Sequence, residues 1–398
     1  MSIGWIDFSK EQRNKVLSVI NLLSEPGAVD ELGIGIIRDA FANTFFPGTS
    51  TIQTRAKYFL LTSYILCELE HEKGMTPEKM INRLHEQELD FIDILKQSGE
   101  TGVIGETAGR KLKRKPSDIY WNGIRTFGIF KKDKISLYDY TRIACSLKAR
   151  KQSIKAQGSM RTKDDEQDAD DIDAVTGELT GGFWKLPVLS DSWRDDVTIQ
   201  LTTTEAKFLK KQIISSVPDT LLALVLKKDY RDFLYFKRFD DIEGIFNILP
   251  DKMKSDYRMA KEFADFVYGM HLRYNIILSQ EKDEHVNEEW ELWEASMKDH
   301  AKIDLNEIVF KRLKVNNGVL NKFLFDCKDA MLNNDIRKLD GLIIMRERKL
   351  KGDKRSKLYN ASEFEYKGWV GIDKLQYRLI NAQNILNDIF EGLGDENA

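Results

Sequence analysis

Five cations fill six positions in "RKLKRK", residues 110–115: Arg110, Lys111, Lys113, Arg114 and Lys115. Residues of this type at this density neutralise phosphates. Ser117 follows Pro116 and predicts a helix start that faces the same turn. Unpaired amides at a helix N-terminus, with Lys113, Arg114 and Lys115 alongside, would accept a phosphate. Tyr120, Trp121 and Phe127 interleave with Arg125, Lys131 and Lys132 farther on. Two short helices meeting at a basic turn, with "FKKDKISL" behind them as a wing, have the outline of a helix-turn-helix or winged-helix element. The other reading makes Tyr120, Trp121, Ile124 and Phe127 the core beneath a solvated basic face. Nucleic-acid contact ranks ahead, because five cations in six positions exceed what solubility needs.

The surrounding charge supports that ranking. Sixteen basic residues stand against three acidic ones between Arg110 and Lys163, a local charge of +13, whereas Asp164 to Glu178 holds eight acids and no base. A formal net charge of -3 for the whole chain conceals this polarity. The acidic run reads as a solvated face. It lacks the glycine turn and closing glutamate of a calcium loop.

A second candidate lies in "FFPGTSTIQTRAKYFLL", residues 45–61. Thr49, Ser50 and Thr51, with the amides behind Pro47-Gly48, form an anion cup in one reading, and Arg38 and Arg55 serve it. In the other, Arg55 enters a crowded interior and braces it through Asp30, Glu31 or Asp39, which Arg38 shares. The brace ranks first, because the helix around Arg55 is apolar on nearly every side.

Other chemistry finds no local pattern. There is no Gly-x-x-x-x-Gly-Lys-Ser/Thr loop for a nucleoside triphosphate. Gly33 and Gly35 of "GIGIIRD" fall in a helical pattern without a preceding strand, which removes a dinucleotide site. His71, His85, His271, His285 and His300 show no zinc spacing. Glu72-Lys73 lacks the strand context of a metal-dependent nuclease. The expectation is no metal, no cofactor and no catalytic residue, with a dispersed nuclease site as the least supported reading.

These residues need a scaffold, and the chain predicts a helical one. It has 398 residues, is 42% hydrophobic and 31% charged, and holds only seven prolines, which suits long helices in two domains. The expected class is mostly α with minor β, a multi-helix two-domain protein. An N-terminal helical domain over 1–157 carries the basic segment 102–135, an acidic linker spans 158–182, and a C-terminal helical domain spans 183–398. Helices are expected from Ser9 to Leu23, around Ile34 to Phe45, from the hydroxyl cluster to Lys73, and after Thr76. Further helices are expected in "GVIGETAGRKL", in "PSDIYWNGIRTFGIF" and after Ser136. Val197 to Leu201 reads as a strand before a helix capped by Thr202 with Glu205. The last helices run Asp256–Gln280 and Ile372–Leu393. The four-three stripe Leu375, Leu379, Ala382, Leu386, Ile389 and Leu393, and Trp290 and Trp293 of "NEEWELWEASM", are the sequence's case for a protein–protein scaffold.

No basic and apolar leader opens the chain, and no stretch approaches 18 uncharged apolar residues, so neither a signal peptide nor a membrane span is expected. Cys67, Cys145 and Cys327 are far apart and read as buried, reduced thiols, which places the protein in the cytoplasm.

The opening "GWIDFS" and "DELGIGIIRDAFANTFFPGTSTIQTRAKYF" resemble a bacterial family catalogued only as a domain of unknown function. "GRKLKRKPSDIYWNGIRTFGI", "TTTEAKFL" and "FADFVYGMHLRYN" continue the resemblance over almost the whole chain. It assigns no activity. It implies an accessory component of anti-phage defence, since such proteins tend to lie beside helicases, phospholipase D-like nucleases and DNA methyltransferases. DNA and a defence-complex protein are the expected partners.

Overall fold

The structure is a computed structural model that describes residues 30–97, 99–132, 134–158, 182–188 and 193–394, and of 151–158 the backbone. The chain is mostly helical. In order run α1 (Gly35–Phe45), α2 (Lys57–His71), α3 (Pro77–Lys96), α4 (Pro116–Thr126), α5 (Leu137–Gly158), α6 (Thr203–Ser216), α7 (Leu221–Lys228), α8 (Asp251–Ser279), α9 (Glu284–Glu294), α10 (Met297–His300), α11 (Gly318–Leu332), α12 (Ile336–Lys351) and α13 (Leu379–Leu393). Short 3-10 turns occupy Gly109–Lys111, Arg231–Tyr235 and Phe239–Ile248. Strand pairing among the described residues is one antiparallel bridge, Phe130 with Trp184. The expected Ser9–Leu23 helix and the acidic run Asp164–Glu178 lie outside the described residues.

Helix starts follow their capping residues. Asp30 accepts from the amides of Ile34 and Gly35 at α1 (2.9 and 2.5 Å). Thr76 accepts from Lys79 N–H ahead of Pro77, and Ser136 accepts from Asp139 N–H. Thr202 and Glu205 form the reciprocal capping box expected of them.

Five expectations are corrected. The "GVIGETAGRKL" segment is a set of turns with one 3-10 turn, because Gly102, Gly105 and Gly109 take positive φ (87°, 87° and 52°). Val197 to Leu201 is not paired as a strand. Helix α2 begins at Lys57, after the hydroxyl cluster has folded into turns, and α13 begins at Leu379 rather than Ile372. Of the thiols, Cys327 is buried, whereas Cys67 and Cys145 are half-buried.

The residues form two compact units that interleave along the chain. One takes the described part of Met1–Ala42 with Phe239–Tyr377; the other takes Asn43–Arg238 with the described part of Arg378–Ala398. In the first, α8 is the longest element, and Phe41 packs on Phe263 and Tyr377. Glu31 and Glu347, both fully buried, share Lys351, and Lys357 Nζ reaches Glu31 Oε1 at 2.9 Å. Burial pushes the Lys351 ammonium down to about 8.

In the second unit, α2 is buried along most of its length and packs against α3 and α4. Helix α5 lies on α3, while α13 packs on α6. Helix α4 crosses the Pro47-Gly48 turn closely. A Cβ on Gly123 would stand 2.4 Å from the Phe59 ring and 2.5 Å from the Gly48 carbonyl oxygen.

Candidate nucleic-acid interface

The basic segment 110–115 enters α4, and the chain that leaves α4 folds back beside it. Trp121 Nε1 donates to the Ile135 carbonyl at 3.1 Å, which ties Ile135 to the helix. Lys131 N–H donates to Phe183 O and Lys185 N–H to Ile129 O, both at 2.8 Å, so Phe130 and Trp184 form a single bridge, and the residues expected as a wing pair into no sheet among the described residues. Beneath it the rings of Trp121, Phe130, Tyr140, Phe183 and Trp184 form a cluster in which each packs within about 6 Å of at least two others.

Seven of the eleven residues of α4 are buried, Ser117, Tyr120 and Trp121 among them. This corrects their assignment to the contact surface. Tyr120 accepts from the amides of Thr54 and Arg55 and donates to the Arg55 carbonyl at 2.8 Å. Its ring meets Phe59 edge-on at 4.8 Å. Desolvation keeps the phenol neutral, well above its ordinary pKa.

The helix N-terminus is also committed. Ser117 N–H donates to Glu88 Oε1 at 2.6 Å, its hydroxyl reaches Glu88 Oε2 at 2.9 Å, and Thr62 Oγ1 lies 3.3 Å from Oε1. Lys115 N–H donates to Asp118 Oδ2. Carboxyl groups of the protein itself stand where the sequence placed a phosphate, so the amides of α4 do not form an anion site. Burial pushes Glu88 up to about 8, so it is largely protonated at neutral pH.

The cations fare differently. Arg110, Lys111, Lys113, Arg114, Lys131 and Lys134 are exposed, and Lys115, Arg125 and Lys132 are half-buried. Arg110 pairs with Asp90 at 2.8 Å across an exposed surface, where solvent screens the pair. Lys115 turns its ammonium onto the Leu112 carbonyl, and Arg125 bonds Ile135 O and Asn122 Oδ1. The exposed cations are Arg110, Lys111, Lys113, Arg114, Lys131 and Lys134.

The first 152 residues match a described family. Its model is that of a family of unknown function (DUF6361), and the match covers residues 1–152. No curated protein and no solved structure matches the chain. Both candidate sites lie inside the DUF6361 match, which carries no assigned chemistry.

The second candidate is a brace. Arg55 Nε donates to Asp388 Oδ1 at 2.8 Å, and Ala56 N–H donates to Oδ2 at 2.6 Å. The partner comes from α13, which corrects Asp30, Glu31 and Asp39. Asp30 caps α1, Glu31 is held by lysines, and Arg38 pairs with its neighbour Asp39 at 3.2 Å. Burial pushes Asp388 up to about 6 despite the guanidinium.

The cup does not form. Thr49 donates through its hydroxyl to Phe46 O, Ser50 N–H donates to Gln53 Oε1, and Arg378 and Asn381 bond the carbonyls of Thr49 and Thr51. A cavity of about 340 Å³ beside Arg55 is lined by Glu100, Gln200, Asp388 and Glu391 as well, a set that repels anions.

Sequence reasoning missed Glu88 and Asp388. Glu88 had a legible signal, since it is the lone carboxylate in the apolar stripe Met80, Leu84, Phe91, Ile92 and Leu95 of α3.

Proposed function

We propose that this chain is a non-enzymatic nucleic-acid-binding protein whose contact surface is built on the exposed Arg110, Lys111, Lys113 and Arg114 with Lys131 and Lys134. The observation that supports the reading most is selective exposure. Ser117, Tyr120 and Trp121 of α4 turn inward, while the side chains of Lys111, Lys113 and Arg114 are exposed. Neutralising backbone phosphates needs cations of this kind on a rigid support, and the ring cluster under α4 is one. The resemblance adds a setting, an accessory subunit of a bacterial anti-phage system that acts beside a helicase, nuclease or methyltransferase.

The scaffold reading loses its two supports. Leu375, Leu379, Ala382, Leu386 and Ile389 are buried in the protein itself, and so are Trp290 and Trp293. Retention of the whole chain on duplex DNA at low salt, released by added salt, is the expected result. Flow-through at low salt, with capture of neighbouring gene products that survives nuclease treatment, would return the scaffold to first place.

A further inference from the structure

We infer that the nucleic acid taken by this surface is a duplex, gripped by its phosphates alone, without base stacking or sequence reading. The inference rests on the function proposed above and names the substrate class of the same site. Single-strand binders gain about 1–3 kcal/mol per base from aromatic platforms. Beside the basic segment, the described residues offer no run of such platforms. Tyr120, Trp121, Phe127, Phe130 and Tyr140 are all buried, and each packs edge-on or tilted against other rings of the interior. Tyr138 is the one exposed ring of residues 110–150. A lone ring cannot track successive bases.

Sequence reading fails for a related reason. A recognition helix places three or four side chains on base edges. Helix α4 leaves Asp118 and Asn122 exposed, with Arg125 and Thr126 half-buried. Asp118 accepts from Lys115 N–H, Arg125 bonds Asn122 Oδ1, and Thr126 Oγ1 donates to Asn122 O at 2.8 Å. These groups serve the helix.

Point charges without rings favour the polymer with the greater charge density. A duplex carries roughly one charge per 1.7 Å of axis and returns more counterion entropy per contact than a single strand. DNA and RNA duplexes share this chemistry.

The test compares the full chain on a 20-nucleotide single strand and on its duplex, as DNA and as RNA, at several salt concentrations. The duplex is expected to bind at least about tenfold more tightly than its own strand in either chemistry, with two unrelated sequences indistinguishable. Tyr138→Ala is expected to leave the duplex-to-strand ratio unchanged. A single strand that binds as tightly as the duplex, or that loses affinity specifically in Tyr138→Ala, overturns the inference and leaves the proposed function standing. A sequence preference above tenfold overturns it as well. Failure to bind any of the four nucleic acids overturns the proposed function itself.

Discussion

Burying Glu88 at the first turn of α4 places a titratable joint under the basic segment. Its carboxyl, ordinarily near 4.5, is pushed up to about 8 by desolvation. The folded protein therefore keeps this proton over a window in which the unfolded chain has released it, so the contribution to stability falls as pH rises from about 4.5 to about 8. Glu88→Gln, permanently neutral and still able to bond Ser117, is expected to remove that fall. Its urea midpoint should gain on the native midpoint as pH rises, and a constant gap across the window would contradict a protonated Glu88. Arg55 makes the opposite kind of joint. Arg55→Ala leaves Asp388 buried without its cation and is expected to cost about 3–5 kcal/mol. Replacing the pair together, Arg55→Met with Asp388→Leu, should restore much of the loss. A single variant as stable as the native protein would show that the pair is dispensable. That Arg55 needed a carboxylate was legible from its apolar surroundings. Which carboxylate was not, because α13 lies more than 300 residues away in sequence and the nearer acids Asp30 and Glu31 have other duties.

At the scale of elements, the helices most legible in sequence were those with a side-chain cap: α3 behind Thr76, α5 behind Ser136 and α6 behind Thr202. The segment 102–112 misled because its glycines sit in left-handed turns that a helical pattern does not reveal. Helix α4 was legible as a helix but not in its facing. Its apolar residues suit a core, and its flanking cations suit a surface. The structure satisfies both by burying the helix and exposing the segments beside it. This division can be tested. Trp121→Ala should cost about 3–5 kcal/mol through the lost ring contacts and cavity, read as a lowered urea midpoint. It should leave nucleic-acid affinity unchanged under conditions where the variant stays folded. Gly123→Ala should also destabilise, by about 1–3 kcal/mol, since its methyl would overlap Phe59 and the Gly48 carbonyl. Weakened binding by folded Trp121→Ala would place the ring on the contact surface after all.

For the whole molecule, charge matters as a distribution: Arg110, Lys111, Lys113 and Arg114 are exposed, whereas Lys115 is half-buried. The acidic run marks a charge boundary in the sequence, whereas one compact unit joins Asn43–Arg238 to the C-terminal helix. Composition marks a charged segment, but it carries no signal that α13 returns to pack on α6. Ending the chain after Tyr377 is accordingly expected to abolish cooperative unfolding of the second unit, although the DUF6361 match is left whole. The claim on which the functional account depends is that the exposed cations bind phosphates. The direct measurement is the slope of log affinity for duplex DNA against log salt, for the native chain and for Lys111→Ala/Lys113→Ala/Arg114→Ala. About five phosphate contacts give a native slope near -4.5, and loss of three should bring it to roughly -1.8. Equal slopes for the two proteins, or a native affinity indifferent to salt, would contradict the account.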